Sequence, residues 1–163
     1  MLKVLFVCLG NICRSPLAEG VFESLIQQKG LDKAVSCDSC GTSSYHIGEK
    51  SHPMSRRVAQ ENDIKLSSRA RQFSPSDFKE FDYIIAMDAS NKRNLRSFQG
   101  YNDAQDKVFL MREFDHALSG KDVMDPYGGD ITDYEYCYKI LKESCGNFIQ
   151  FMKKQHPHLV TIK

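Results

Sequence analysis

Short apolar runs and amphipathic stretches alternate along this chain. The run at 2–7 is rich in branched residues and predicts a buried strand, and 16–28 predicts a helix with Ser15 as N-cap and Pro16 at its first position. Further strands are expected at 35–38, 81–87 and 108–111, and further helices over 54–62 and from about Ser90, with a polar loop over 41–53. This alternation predicts an α/β layer fold in which four parallel strands are flanked by helices and ligands bind beyond the carboxyl ends of the strands.

A last helix is predicted near the carboxyl end of the chain. Its apolar residues recur at spacings of three and four and trace one helix face: Tyr134, Cys137, Tyr138, Leu141, Cys145, Phe148 and Met152. Cys137 and Cys145 are therefore interpreted as inert core thiols. Neither a repeat nor a linker interrupts the chain, and 163 residues suit one domain, which we expect to span 1–163.

Composition and charge limit the functions that this chain can have. Lysine and arginine number 22 and aspartate and glutamate 21, so the net charge of +1 provides no general field for nucleic acid or an anionic membrane surface. No apolar run approaches the roughly 20 residues of a membrane span, and the amino terminus lacks a signal-peptide pattern, so we expect a cytoplasmic protein. Its six cysteines are accordingly interpreted as reduced thiols. Cys37 and Cys40 form a C-x-x-C, but no second ligand pair follows, so no metal site is expected.

The strongest candidate site is the segment CLGNICRS, from Cys8 to Ser15, which joins the first strand to the first helix. Gly10 and Asn11 tolerate left-handed backbone conformations, and a loop that opens a helix can direct successive N–H groups at an anion. Arg14 can add a planar fork for two phosphate oxygens. The same field favours the nucleophilic thiolate of Cys8, to which Ser15 can donate a hydrogen bond. The alternative is a buried structural cysteine beside a surface arginine, which explains neither the Gly-Asn turn nor the helix start.

Residues 4–19, VLFVCLGNICRSPLAE, resemble the signature of the low-molecular-weight protein tyrosine phosphatases. Further blocks resemble the family in the same order, so the similarity covers nearly the whole chain: DSCGTS at 38–43, ARQ at 70–72, FDYIIAMD at 81–88 and DPY at 125–127. The resemblance implies a three-layer, flavodoxin-like fold. It also implies hydrolysis of phosphotyrosine, and of small aryl phosphates, through a phosphocysteine intermediate and without a cofactor.

The resemblance assigns roles to individual residues. Cys8 matches the nucleophile, Arg14 the phosphate clamp and Asp125 the general acid and base. The phosphate-binding loop is expected to comprise Leu9, Gly10, Asn11, Ile12, Cys13, Arg14 and Ser15, with Asn11, Ser15 and Ser39 supporting its conformation.

The chemistry of this reaction independently requires an acid. A phenolate leaving group must be protonated, and water must then be deprotonated to attack phosphocysteine. Asp125 begins the segment DPYGGD, whose Pro and Gly residues equally suit an ordinary turn. Tyr127 and Tyr45 resemble the family's aromatic walls, which favour the flat ring of phosphotyrosine over the shorter phosphoserine. Ile12 supports this preference, since family members that act on phosphoarginine tend to carry threonine at that position.

Other positions qualify the resemblance. Cys13 resembles a second cysteine that forms a reversible, protective disulfide with the nucleophile, although a small packing residue is the alternative. Gly128 replaces a second aromatic residue after Tyr127, which opens the pocket and weakens self-association, so we expect a monomer or weak self-association. Ser68 stands where many members have histidine, which puts a buried network in doubt. HPM at 52–54 replaces Asp-Pro-Arg and changes the charge near the rim.

Two other function classes remain alternatives. An arsenate reductase can use the same fold and loop, but it needs further cysteines in a mobile segment, and residues 41–136 contain none. A non-catalytic phosphopeptide-binding module would lose the nucleophile or the acid, whereas Cys8 and Asp125 are both present. The expected partners are phosphotyrosine proteins or peptides, with inorganic phosphate and similar oxyanions as product or inhibitors; neither nucleic acid nor a membrane is expected.

Overall fold

A four-stranded parallel sheet forms the centre of the computed structural model, which describes residues 1–116 and 121–160. The strand order is β2-β1-β3-β4, with β1 at Leu2–Cys8, β2 at Val35–Gly41, β3 at Tyr83–Ala86 and β4 at Val108–Leu110. All three strand pairs are parallel, so every carboxyl end lies at one edge of the sheet. This order, with β1 inside, is the flavodoxin-like arrangement.

Helices connect the strands and cover both faces of the sheet. The α-helices are α1 Arg14–Gln28, α2 Pro53–Glu61, α3 Asp77–Glu80, α4 Ala89–Leu95, α5 Tyr101–Ala104 and α6 Ile131–Gln155. Short 3-10 helices lie at Gln105–Lys107, Met111–Phe114 and Pro157–Val160. The prediction of a three-layer α/β fold with four parallel strands flanked by helices is confirmed. None of the helices in the described ranges is long and apolar enough to cross a membrane.

The side chains of β1 alternate between two cores, because successive residues of a strand point to opposite faces. Phe6 faces α1 and α6, where its ring centroid lies 5.3 Å from that of Phe22, which in turn lies 5.8 Å from Phe148. Leu5 faces the opposite layer, whose buried residues include Phe78. Truncating one of these rings would cost roughly 3–5 kcal/mol of stability. The strand that ends at the candidate site is therefore held from both sides.

Helix α1 begins two residues before the predicted position. Its N-cap is Cys13, so Arg14 and Ser15 occupy the first two helical positions and Pro16 the third, and the prediction of Ser15 as N-cap was wrong. The Ser15 hydroxyl instead lies 2.9 Å from Cys8 Sγ and accepts a hydrogen bond from Asn11 Nδ2. Bonds within the loop, rather than a serine cap, thus decide where the helix begins. Pro16 is tolerated there because the first four N–H groups of a helix have no partner inside the helix.

Other boundaries shift by a few residues. Strand β2 continues to Gly41, past the predicted end at Asp38, while β3 and β4 are shorter than predicted. Helix α2 begins at Pro53 and is capped by His52, and α4 begins beside the predicted Ser90, capped by Asp88. Each capping side chain accepts a hydrogen bond from a backbone N–H of the first turn. The expectation of one domain over 1–163 stays a prediction, since 117–120 and 161–163 lie outside the described residues.

The cysteines outside the candidate site are distributed over the core. Cys37 and Cys40 lie three positions apart on β2, so their side chains are on opposite faces of the sheet and pack in different cores. Cys137 and Cys145 are buried on α6, as predicted. Burial raises the pKa of Cys137 to about 12 and that of Cys145 well above its usual range. These two thiols are therefore poor nucleophiles at neutral pH.

Candidate active site

The loop between β1 and α1 brings Cys8 to the mouth of a helix. Cys8 is the last residue of β1, and Asn11 adopts the left-handed backbone conformation with φ of 57°. Gly10, for which the sequence suggested the same conformation, is needed for space instead. A Cβ atom on Gly10 would lie 2.9 Å from the His46 ring, which packs over the loop. Close packing of His46 thus explains the glycine.

The Cys8 thiol is surrounded by hydrogen-bonding groups. Its Sγ lies 2.9 Å from Ser15 Oγ and accepts a hydrogen bond of 3.3 Å from the backbone N–H of Asn11. Ser15 Oγ accepts from Asn11 Nδ2 at 2.8 Å, and its own proton can go either to Cys8 Sγ or to the Cys40 carbonyl oxygen, 3.3 Å away. The first turn of α1 adds the partial positive charge of a helix amino terminus. All these groups stabilise a thiolate.

A buried network holds the loop in place. The Asn11 amide donates to Ser39 Oγ at 2.9 Å, and its oxygen accepts from the backbone N–H of Arg71 at 3.0 Å. Ser39 and Ser68 both donate to one oxygen of Glu19, at 2.7 and 3.0 Å. Burial raises the pKa of Glu19. Ser68 therefore takes part in the network that its departure from the family pattern had put in doubt.

Arg14 is anchored by residues from two distant segments of the chain. Its Nη1 donates to Asp88 Oδ2 at 2.6 Å and to the carbonyl oxygen of Val123 at 2.9 Å. Its Nη2 lies 3.5 Å from Asp125 Oδ2. The guanidinium group is buried and held by these contacts, and Arg14 lines one pocket with Cys8 and Asp125. Such a group can bind two oxygens of a tetrahedral anion.

Asp125 lies on an exposed turn that leads into α6. One carboxylate oxygen accepts from the backbone N–H of Tyr127 at 3.1 Å, and Gly129 N–H donates to the Pro126 carbonyl at 2.9 Å. Gly128 has φ of 85°, a conformation that disfavours an aromatic residue at that position. The turn interpretation of this segment and the acid interpretation are thus compatible. The turn places the carboxylate at the pocket.

The pocket contains most of the residues singled out in the sequence. Its walls are formed by Cys8, Leu9, Gly10, Ile12, Cys13, Arg14, Tyr45, His46, Asp125 and Tyr127. Asn11, Ser15 and Ser39 are buried in the supporting network, and Asn11 and Ser15 direct their side chains there. Because their side chains bond within the loop, these two residues can meet a phosphate only through their backbone N–H groups, and their part in phosphate binding stays a prediction.

His52 connects three parts of the site. Its ring stacks on Tyr134 with centroids 5.1 Å apart and meets Tyr127 edge-on at 6.0 Å. Its backbone N–H donates to the Ile12 carbonyl at 2.8 Å. Burial, followed by the nearby Arg56 charge, lowers the pKa of His52. The position thus carries a neutral ring at neutral pH where the family pattern has an acid.

Cys13 points away from the solvent side of the pocket toward α6. Its Sγ lies 3.4 Å from the Tyr134 hydroxyl, which is fully buried. Burial raises the pKa of Cys13 to about 11, so it is a neutral thiol when reduced. Within residues 1–116 and 121–160, no group of three histidine, cysteine or acidic side chains is placed to hold a metal ion.

Sequence reasoning missed several residues of the site. Asp88 and Glu19 anchor the loop and the arginine, and His46 lines the pocket. Only Asp88 carried a signal, because it directly follows a buried apolar run and lies at the carboxyl edge where ligands gather. Glu19 looked like an ordinary helix residue, and His46 lay in a polar loop.

The known proteins that this chain resembles are phosphatases. The family model for low molecular weight phosphotyrosine protein phosphatases matches residues 3–158. A Schizosaccharomyces pombe protein of that name is 42% identical over 150 residues, 91% of this chain and 96% of its own. A protein tyrosine phosphatase structure from Entamoeba histolytica has a TM-score of 0.89 at 38% identity, covering 95% of this chain and 99% of its own. The structure of the YwlE arginine phosphatase has a TM-score of 0.86 at 29% identity, covering 97% and 99%.

Proposed function

This chain belongs to the low molecular weight phosphotyrosine protein phosphatases, which are hydrolases of phosphoric monoesters, and we propose that it acts through a phosphocysteine formed on Cys8. The observation that carries this proposal is the placement of Cys8, Arg14 and Asp125 around one pocket. A thiol nucleophile, a guanidinium clamp and a carboxyl group are the three parts that aryl phosphate hydrolysis requires.

In the first step, the Cys8 thiolate attacks phosphorus as the bond from phosphorus to the phenolic oxygen breaks. Asp125, protonated, gives its proton to the departing oxygen. Hydrogen bonds from Ser15 and from the Asn11 N–H stabilise the thiolate before attack. The Arg14 fork, held by Asp88 and Val123, binds two of the phosphoryl oxygens as charge spreads over them.

In the second step, water attacks the phosphocysteine. The Asp125 carboxylate, left by the first step, takes a proton from this water, and the bond between sulfur and phosphorus breaks. Inorganic phosphate and the Cys8 thiolate are the products. Ser15 stabilises the leaving thiolate through the contact that it made at the start.

The pocket walls support phosphotyrosine as the substrate class. Tyr45 and Tyr127 stand at the pocket mouth, and Ile12 adds an apolar surface beside the loop. A flat aromatic ring covers such walls, whereas phosphoserine is too short to reach them. Phosphoarginine is the second candidate, because the arginine phosphatase YwlE shares the fold at 29% identity. The apolar Ile12 favours an arene over a guanidinium group.

The two remaining function classes are less well supported. An arsenate reductase needs a relay of accessible thiols, but Cys137 and Cys145 are buried on α6, and Cys37 and Cys40 lie on opposite faces of β2. A binding module needs no carboxylate beside the clamp, whereas Asp125 lies 3.5 Å from Arg14.

Cys13 is proposed to protect the nucleophile from irreversible oxidation. Peroxide converts the Cys8 thiolate to a sulfenic acid, and the Cys13 thiol then displaces water to form a disulfide, which cellular thiols reduce. Both cysteines line the same pocket. Because catalysis needs a reduced Cys8, we also propose a cytoplasmic location, with phosphotyrosine proteins as partners and at most weak self-association.

The test measures hydrolysis of p-nitrophenyl phosphate and of a phosphotyrosine peptide by the reduced protein, with a phosphoarginine peptide as a comparison substrate. Cys8→Ser and Arg14→Ala should abolish both activities, while Cys37→Ser, the same chemical change at a thiol outside the pocket, should keep them. Acid-quenched Asp125→Ala with p-nitrophenyl phosphate should accumulate phosphocysteine, detectable by mass spectrometry. Full activity in Cys8→Ser would falsify the proposal, and faster turnover of phosphoarginine than of phosphotyrosine would replace the substrate class.

A further inference from the structure

Several exposed apolar side chains belong to the segments that form the pocket. Eight large apolar residues in the described ranges are exposed; three of them line the pocket, and two more are chain neighbours of His46 and Asp125, which line it. We call these five the apolar rim: Leu9, Tyr45, Ile47, Met124 and Tyr127. Exposed apolar residues gathered at a pocket mark an interaction site, whereas single exposed apolar residues need no explanation.

Two members of the rim lie beyond the pocket itself. Ile47 follows His46, which packs over the phosphate-binding loop, and is 59% exposed. Met124 lies between Val123 and Asp125, both of which contact Arg14, and is 70% exposed because Val123 turns inward. Neither side chain lines the pocket that holds the proposed phosphotyrosine ring. Their apolar surface is therefore available to something attached to that ring.

The charges at the pocket argue against an acidic neighbour. Both basic side chains that line it already contact carboxylates, Arg14 with Asp88 and His46 with Glu49. Arg14 is moreover the proposed clamp for the phosphate. A carboxylate next to phosphotyrosine would meet Asp125 and an apolar surface, with no compensating contact from these two basic side chains.

We propose that the apolar rim binds aliphatic or aromatic side chains next to phosphotyrosine in the substrate chain, and so selects phosphorylation sites with apolar neighbours. This inference rests on the proposed phosphatase function and adds a preference of the enzyme for certain residues next to phosphotyrosine. Ile47 and Tyr45 lie on one loop and Met124 and Tyr127 on another, and both loops contribute residues to the pocket lining. The substrate chain passes between the two loops, with an apolar contact on each side of phosphotyrosine.

The test compares phosphotyrosine peptides of one length that differ only in the residues flanking phosphotyrosine, which are leucine, asparagine or aspartate. Leucine and asparagine have similar size, so this pair isolates the apolar contact. We expect kcat/KM for the leucine peptide to exceed that for the asparagine peptide by about tenfold, mainly through KM, and aspartate to be poorer still. Met124→Gln and Ile47→Gln should each reduce the leucine preference by about threefold.

Tyr136→Gln is the matched control, because Tyr136 is 54% exposed on α6 and does not line the pocket. It should leave the leucine preference unchanged. Equal kcat/KM for the three peptides, with good turnover of p-nitrophenyl phosphate, overturns the inference and leaves the phosphatase function intact. A second result would also overturn the inference: the protein self-associates, Met124→Gln abolishes the self-association, and kcat/KM does not depend on the flanking residues. The apolar rim would then bind a second copy of the chain. If the protein hydrolyses neither p-nitrophenyl phosphate nor any of the three peptides, the proposed function itself is overturned.

Discussion

Arg14 and Asp88 form an ion pair at the carboxyl edge of the sheet, with Nη1 of the arginine 2.6 Å from Oδ2 of the aspartate. The arginine side chain is 3% exposed and the aspartate side chain 18%, so water screens the pair weakly. Asp88 also caps α4 through its other oxygen. One carboxylate therefore orients the proposed phosphate clamp and fixes it to the end of β3.

Replacement of Asp88 by asparagine should weaken phosphate binding. Asparagine is an equally good N-cap but carries no charge, so Arg14 loses its partner while α4 keeps its cap. We expect KM for p-nitrophenyl phosphate and Ki for phosphate to rise roughly tenfold, and the free energy of unfolding to fall by about 1–3 kcal/mol. Asp122→Asn is the control, because Asp122 accepts from the first N–H of the same helix in an exposed position. Equal effects of the two substitutions would show that the ion pair plays no part.

Asp125→Asn should separate substrates by their leaving groups. Without a proton donor, kcat/KM for phosphotyrosine should fall by about 10²–10⁴, and kcat/KM for p-nitrophenyl phosphate much less, because nitrophenolate leaves without protonation. Asp130→Asn is the matched control on the same turn, since asparagine can still cap α6. A loss that is independent of the leaving group would remove the acid role from Asp125.

Two substitutions of Asn11 should distinguish its backbone conformation from its side-chain bonds. Asn11→Gly keeps the left-handed conformation but loses three hydrogen bonds, which should lower the free energy of unfolding by about 2–4 kcal/mol. Asn11→Ala loses the same bonds and adds about 1 kcal/mol of backbone strain. Denaturant unfolding measures both values. An alanine variant as stable as the glycine variant would mean that the loop relaxes to another conformation.

His52 should make stability fall in acid. Its pKa is lowered in the folded protein from the ordinary value of 6.5, so between the two pKa values the unfolded chain binds more protons. The free energy of unfolding therefore decreases as pH falls through this window, and the contribution is fully present above 6.5. His52→Asn keeps an N-cap and should remove this part of the pH dependence, as measured by urea unfolding from pH 4 to 8. His116→Asn, at an exposed histidine, is the control and should leave this part of the pH dependence in place.

Gly41 should be essential for the shape of the phosphate-binding loop. A Cβ atom there would lie 2.5 Å from the Leu9 carbonyl oxygen and 3.1 Å from Asn11 N, and backbone atoms cannot move aside without moving the loop. Gly41→Ala should lower kcat/KM by about 10²-fold or more. Gly146→Ala is the control, because nothing lies within 4 Å of its Cβ position on α6. It should raise stability by about 0.5–1 kcal/mol with unchanged activity.

Local patterns were sufficient to predict the fold class, because the apolar runs of β1 and β3 and the periodic face of α6 are long and unambiguous. Boundaries were less predictable. The start of α1 depends on bonds between Ser15 and the loop, and the end of β2 depends on pairing with β1, where Gly41 lies opposite Cys8. Neither of these tertiary contacts leaves a mark in the local sequence.

Some residues of the candidate site could be predicted from the sequence and others could not. Cys8, Arg14 and Asp125 could be identified because their chemistry and motif are specific. Asp88 and Glu19 could not, since their importance comes from side chains that approach from distant elements: Glu19 meets Ser39 across 20 positions and Asp88 meets Arg14 across 74. A one-dimensional pattern does not contain such pairs.

The central position of β1 has a consequence for partial unfolding. Its residues from Val4 to Val7 are inaccessible to solvent and are bonded to strands on both sides, so their amide hydrogens should exchange only on global opening. The turn that carries Asp125 is exposed and held mainly by short local bonds, beside the 3.5 Å contact with Arg14, so it should open at far lower free energy. The nucleophile and the acid thus belong to different cooperative units. Mild denaturant should therefore abolish activity by separating Asp125 from Cys8 while the sheet is still intact.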